Sequence, residues 1–202
     1  MQPARLSGPL PPPAAGPHGW ATAPARPIRT TALLRGGVVA HLRPLTPADR
    51  TLYLAGFEHL SLESRRLRFF GPKPSLSDGE VNYFIDVDHH DHEAIAAIAC
   101  GQGLGVARYI RDRHDPRIAD VAVAVVDEWQ RQGVGTALLG RLAERAREEG
   151  IDWLRAQVLP SNRGMLALIR RLRSSVTRRS WNEGVLNLEI SVRGAEALRT
   201  SS

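Results

Sequence analysis

Residues 121–136, V-A-V-A-V-V-D-E-W-Q-R-Q-G-V-G-T, carry the types and spacing best suited to chemistry in this chain. An apolar strand runs into the acidic turn Asp127-Glu128, then into a loop punctuated by Gly133 and Gly135, then into a helix. A helix start leaves backbone N–H groups without partners at the positive end of the macrodipole, so it can hold a phosphate without a charged side chain. Glycine lacks a Cβ and lets a ligand approach the main chain closely. A phosphate-bearing ligand is therefore expected; a glycine-softened helix start with no ligand is the alternative. Two familiar phosphate loops do not fit. A Walker-type loop needs a lysine after its last glycine, but Gly135 is followed by Thr136 and the chain's single lysine is the distant Lys73. A dinucleotide fingerprint needs a third glycine where Leu138 stands.

The elements that must position this loop follow from periodicity and punctuation. Order is expected from near Leu33, with a strand over 38–43 halted by Pro44. Thr46-Pro47 supplies an N-cap and a first-turn proline for a helix to about Leu60. A second short helix is expected over 61–70, and Ser77-Asp78-Gly79-Glu80 is a capping box that opens a third, ending near Ile85. Strands over 94–100, 105–111 and 119–126, joined by short Gly-, Asp- and Pro-containing connections, predict an antiparallel meander. After the glycine loop, Val134, Leu138, Leu142 and Ala146 form a core-facing ridge that ends at Gly150. A strand over 153–159, a helix over 162–171 and a strand pair over 176–181 and 185–190 complete the order. The fold class expected is α/β, with a mixed, centrally antiparallel sheet flanked by helices.

At 202 residues the chain suits one domain with a sizeable core. The expected organisation is a disordered Pro/Ala-rich leader over 1–32 (or residues upstream of the true start codon), a domain over 33–193, and a disordered tail over 194–202. The net charge of +6 is nearly all arginine, scattered and interleaved with acids as in 144–149, and aromatic content is 5%. That pattern describes a solvated helix face with charge pairs, so no nucleic-acid partner is expected. No apolar run is long enough to span a bilayer and the leader has no signal-peptide core, so a cytoplasmic protein without membrane contact is expected. The single cysteine, Cys100, excludes an intrachain disulfide and is expected as a buried thiol in the apolar run 94–100. The segment 88–93, D-H-H-D-H-E, reads as a hydrated loop, because no distant His or Cys pair completes a metal site; no metal is expected.

Gln130-Arg131-Gln132-Gly133-Val134-Gly135, between a strand and a helix, resembles the Gln/Arg-x-x-Gly-x-Gly/Ala loop of the GNAT N-acetyltransferase superfamily. The element order over about 38–192 is similar to that family's. Leu159-Pro160-Ser161-Asn162-Arg163-Gly164-Met165 looks like its strand-to-helix junction. Residues 60–71, L-S-L-E-S-R-R-L-R-F-F-G, resemble the first helical region of bacterial protein-acetyltransferase-like members. Those members often carry a fused cyclic-nucleotide-binding or acyl-CoA-synthetase-like domain, which nothing in residues 1–32 resembles.

The resemblance implies acetyl-CoA as cosubstrate and direct acetyl transfer from the thioester to a primary amine, on a small molecule or a protein lysine. It implies main-chain contacts from Val123, Ala124 and Val125 to the pantetheine arm, and a pyrophosphate held by the loop Gln130, Arg131, Gln132, Gly133, Val134, Gly135 and Thr136. Asn162 would sit beside the arm, and Asp120 stands where relatives place a catalytic Glu. Two departures accompany it. No tyrosine follows Tyr109, so the family's thiolate-protonating tyrosine is missing, and Arg173-Ser174-Ser175 replaces a common Gly-Phe pair. Ser174, Ser175 or water would then supply the proton. A catalytically weak or inactive acyl-CoA-binding sensor or scaffold is the alternative. The acceptor and the oligomeric state stay open.

Overall fold

The computed structural model describes residues 30–171 and 176–193. The expected leader up to residue 29, the tail over 194–202 and Arg173-Ser174-Ser175 lie outside the described residues. An eight-stranded sheet runs in the order β1-β2-β3-β4-β5-β6-β8-β7. Its strands are β1 Thr30–Leu33, β2 Val39–Pro44, β3 His92–Ala99, β4 Gln102–Arg111, β5 Ile118–Val125, β6 Trp153–Val158, β7 Val176–Asn182 and β8 Val185–Ser191. Every neighbouring pair is antiparallel except β5 and β6. The helices are α1 Arg50–Glu58, α2 Leu62–Phe69, α3 Asp78–Ile85, α4 Val134–Glu148 and α5 Arg163–Arg171.

The helix starts form where the sequence places caps. Ser77 Oγ accepts the N–H of Glu80 while the Glu80 carboxylate takes the Ser77 N–H, a reciprocal box that fixes the first turn of α3. Ser61 Oγ accepts the N–H of Ser64 to start α2. Before α1, Thr46 and Asp49 make another capping box around a short 3₁₀ turn, Pro47–Asp49.

The sheet has two apolar faces. Ala119 and Val121 of β5 share one core with Leu138, Leu139, Leu142 and Ala146 of α4 and with Ile169 of α5. Alternation turns Ala122 and Ala124 to the opposite face, beneath α1 and α2, where both line a cavity. The ridge Val134, Leu138, Leu142, Ala146 is buried throughout, and Gly150, at φ +75°, ends the helical run.

Two local expectations are corrected. Residues 30–32, expected within the leader, belong to a strand: residues 30–33 pair with Val39–Leu42. Cys100 is exposed rather than buried: the strand ends at Ala99, and Cys100 (φ +49°) and Gly101 (φ +74°) form the turn into β4.

The β2–α1 corner makes the fold acid-sensitive. Asp49, buried, accepts from Arg43 Nη1 at 2.7 Å and Nη2 at 2.5 Å, and from the Thr46 N–H and hydroxyl at 2.9 Å each. The guanidinium is the main cause that holds its carboxyl down at about 2. A depressed folded-state pKa stabilises above the ordinary value of 3.8 and loses that contribution as pH falls toward 2. Asp49→Asn is therefore expected to cost roughly 2 kcal/mol at neutral pH. Urea midpoints of both proteins should converge between pH 4 and pH 2; a pH-independent gap would contradict the assignment.

Candidate active site

The parallel contact between β5 and β6 is short. Ile118, Ala119 and Asp120 pair with Trp153, Leu154 and Arg155, and pairing stops there although β5 continues to Val125 and β6 to Val158. Beyond Asp120 the strands diverge; the main chains of Val123 and Val125 point to that side and have no strand partner there, while Ala124 between them pairs with Val106 of β4. An unpaired strand edge between two covered faces offers donors and acceptors to an extended, amide-bearing ligand.

The glycine loop closes one end of this gap. From Arg131 to Thr136 no backbone N–H has a hydrogen-bond partner among the described residues; the first bond belongs to Ala137 N–H, donated to Gly133 O at 3.0 Å. Arg131 (φ +63°) and Gly133 (φ +102°) sit in left-handed conformations, a backbone pattern of the nest type, which can present successive amides to an anion at the start of α4. Gln132 O accepts from Arg35 N–H at 2.9 Å, which anchors the loop to the β1–β2 connection. The Gln130 carboxamide donates to Ser64 Oγ, Val125 O and Asp127 Oδ1, tying the loop to α2. Val134 turns its side chain into the core.

The two glycines do different work. A Cβ on Gly133 would meet only Leu34, 3.9 Å away, so its need is conformational. A Cβ on Gly135 would lie 3.3 Å from Leu168 and 3.6 Å from Val125, so this glycine lets α4 pack against α5 and β5.

Asn162 sits across the gap at the start of α5. Its Oδ1 accepts the Met165 N–H at 2.9 Å, which makes it the helix cap and leaves its amide N–H groups without a partner among the described residues. From α2, Arg66 reaches Ser161 Oγ at 3.4 Å, so α2 touches the loops on both sides of the gap.

Asp120 lies at the root of the gap, in the last paired position of β5. Both of its oxygens accept from Arg155, Oδ1 from Nε at 2.5 Å and Oδ2 from Nη2 at 3.0 Å, and Arg155 Nη2 also reaches Asp112 at 2.8 Å. Backbone N–H groups from His114 and Asp115 and the Arg155 guanidinium hold the Asp112 carboxyl down at about 2. Arg155 is raised above its ordinary value, first by its bond to Asp120. Asp120 shares its strand face with Ala122 and Ala124, and therefore the side of the cavity.

That cavity was not foreseen from the sequence. Leu52, Tyr53, Phe57, Phe69 and Ala124 give it an apolar lining, into which Arg68 of α2 and Arg108 of β4 also project. A lone arginine in the apolar run Val106-Ala107-Arg108-Tyr109-Ile110 was the available signal. The segment 88–93 disperses into the fold: His89 meets Glu93, Asp91 meets Arg111, and His92 Nε2 accepts from Arg108 Nη1 at 3.2 Å. No group of three His, Cys, Asp or Glu poised for a metal exists among the described residues, and no described helix is long and apolar enough to cross a membrane.

Residues 58–173 match the family model described as Acetyltransferase (GNAT) family. The chain is 32% identical over 162 residues to "Acetyltransferase Pat" of Mycolicibacterium smegmatis, covering 79% of this chain and 47% of that protein. It thus spans about half the length of that curated relative. Among solved structures it is similar to the GNAT domain of S. lividans PAT, at 34% identity and TM-score 0.76, covering 81% of this chain and 96% of the other. It is also similar to a cAMP-binding acyltransferase from Mycobacterium smegmatis, at 25% identity and TM-score 0.59, covering 87% of this chain and 50% of the other.

Proposed function

Because the chain belongs to the GNAT acetyltransferase family, we propose that it transfers an acetyl group from acetyl-CoA to a primary amine by direct attack. The observation that carries this reading is the nest of unpartnered amides from Arg131 to Thr136, set at the mouth of the gap between β5 and β6. The pyrophosphate of CoA would be received by those amides. The pantetheine arm would run along the free edge of β5 at Val123 and Val125, with the unpartnered amide of Asn162 on its other side.

The acceptor would lie on the cavity face, beside Ala122 and Ala124. Its amine must be neutral to attack the thioester carbonyl carbon. Asp120, acting through a water molecule, would take the proton, and a backbone N–H of the free β5 edge would stabilise the tetrahedral oxyanion. The intermediate collapses by breaking the C–S bond, and the thiolate takes its proton from water. The ion pair with Arg155 orients the Asp120 carboxylate and leaves each oxygen a further lone pair for that water.

A second reading, an acyl-CoA-binding protein without turnover, is favoured by one observation: no tyrosine follows Tyr109 to protonate the thiolate. Thiol release from acetyl-CoA, followed with and without amines, separates the two. Amine-dependent release is expected; CoA binding without release under every amine would favour the binder. The cytoplasm is the compartment we assign, on the single unpaired thiol and the apolar content of the described helices.

A further inference from the structure

The acceptor cavity contains two positive charges with no negative one to meet them. Arg108, 3% exposed, bonds only to neutral groups: Phe84 O and His92 Nε2 at 3.2 Å each, and Tyr53 Oη at 3.5 Å. Its guanidinium also lies 4.6 Å from the Phe84 ring centroid. Burial pushes the His92 imidazole down to about 4, so it is neutral at pH 7 and accepts from Arg108 without adding a countercharge. Arg68 has no hydrogen bond and no ion pair among the described residues; its only close partner is the Phe69 ring, 5.0 Å away. It lines the cavity and is half-buried. Desolvation, with the like charge of Arg108, pushes it down to about 10. Elsewhere most buried or half-buried arginines, Arg43, Arg141, Arg145 and Arg155 among them, face carboxylates. Two cations lining one cavity, Arg108 buried and Arg68 half-buried, repel each other with no anion between them, and an incoming anion would relieve that repulsion.

Register ties this charge to the chemistry. Arg108 pairs with Ala122, and Ile110 pairs with Asp120. Arg108 and Asp120 therefore lie on one face of adjacent strands as diagonal neighbours, roughly 7–8 Å apart at Cα. A guanidinium at this distance from Asp120 suits an acceptor whose anionic group sits close to its amine. Resting on the acetyl-transfer reading above, we propose that the acceptor is a free amino acid, its carboxylate bound between Arg68 and Arg108 and its amine turned toward the gap between β5 and β6. Polyamines and aminoglycosides, which bring only positive charge, are repelled from this cavity.

The test uses the purified protein with acetyl-CoA, following thiol release with the common amino acids, their decarboxylated amines, spermidine and a lysine-containing peptide. At least one amino acid should exceed its decarboxylated counterpart by about 100-fold or more in kcat/KM, the usual scale for a desolvated charge pair. Arg68→Gln should raise the KM for that amino acid by about 10–100-fold, leave acetyl-CoA affinity unchanged and erase the preference for the carboxylate. Arg68→Lys should restore part of it. Calorimetric binding of the corresponding N-acetyl amino acid, in the presence of CoA, reads the pocket without turnover. Binding that Arg68→Gln abolishes, with no thiol release under any amine, would sustain the anion site and defeat acetyl transfer. Turnover of spermidine or the lysine peptide, with every amino acid equal to or below its decarboxylated amine, would sustain acetyl transfer and overturn the anionic acceptor.

Discussion

Gly135→Glu is expected to abolish measurable CoA binding and to lower stability as well. The new carboxylate would stand at the start of α4, where the amides from Arg131 to Thr136 are to receive a pyrophosphate. Like charges brought together at a binding surface cost several kcal/mol, which corresponds to about 100-fold or more in affinity. Its Cβ would press on Leu168 at 3.3 Å, with Val125 at an ordinary contact distance of 3.6 Å, and overpacking against Leu168 costs about 1–3 kcal/mol. Two smaller substitutions separate the effects. Gly133→Ala meets no neighbour closer than 3.9 Å but must hold φ +102°, a strain of order 1–3 kcal/mol that distorts the nest; it should weaken CoA binding. Gly135→Ala, which adds a methyl without charge and keeps the helical backbone, should leave affinity nearly unchanged. Calorimetry on folded protein decides it: equal CoA affinities for wild type and Gly135→Glu would remove the loop from the site.

The second large effect belongs to Asp120. As the base, directly or through water, Asp120→Asn should lower turnover by about 10²–10⁴-fold while acetyl-CoA affinity barely moves. The deficit should shrink as pH rises, because more of the acceptor amine is then neutral before it binds. The ion pair with Arg155 adds a contribution that a sequence reading did not foresee. Asparagine keeps one acceptor oxygen but loses the charge, so Arg155 falls back on Asp112 and melting temperature drops. A purely structural Asp120 would show only that drop, with turnover per folded molecule unchanged at every pH. Coincident pH–rate profiles, corrected for folded fraction, would leave positioning as the main source of catalysis.

Features written within a few residues were legible in the sequence. The Thr46-Pro47 helix start, the capping box at Ser77–Glu80, the glycine loop and the ridge from Val134 to Ala146 depend on local hydrogen bonds and helical periodicity, and each forms where the spacing places it. Features that depend on pairing between distant segments were not. The divergence of β5 from β6 is set by which of residues 118–125 meet residues 153–158, and no local pattern marks Asp120–Arg155 as the last pair. β1 follows a proline- and arginine-rich stretch and, among the described residues, has only β2 as a partner, so its strand character comes from pairing rather than from a local pattern. Cys100 completes an apolar run by composition, yet Gly101 beside it turns the chain and leaves the thiol outside. Arg68 and Arg108 stand 40 residues apart and meet only because α2 folds over β4 and β5.

The most direct test follows the acetyl group itself. Acetyl-CoA labelled in its acetyl carbons is mixed with the protein and an amino acid, and the reaction is quenched and resolved by mass spectrometry. The label should appear on the acceptor nitrogen in amounts equal to the free CoA thiol, with none on the protein, as direct attack requires. Label that remains in acetyl-CoA bound to the protein, under every amine supplied, would contradict acetyl transfer and leave a CoA-binding domain.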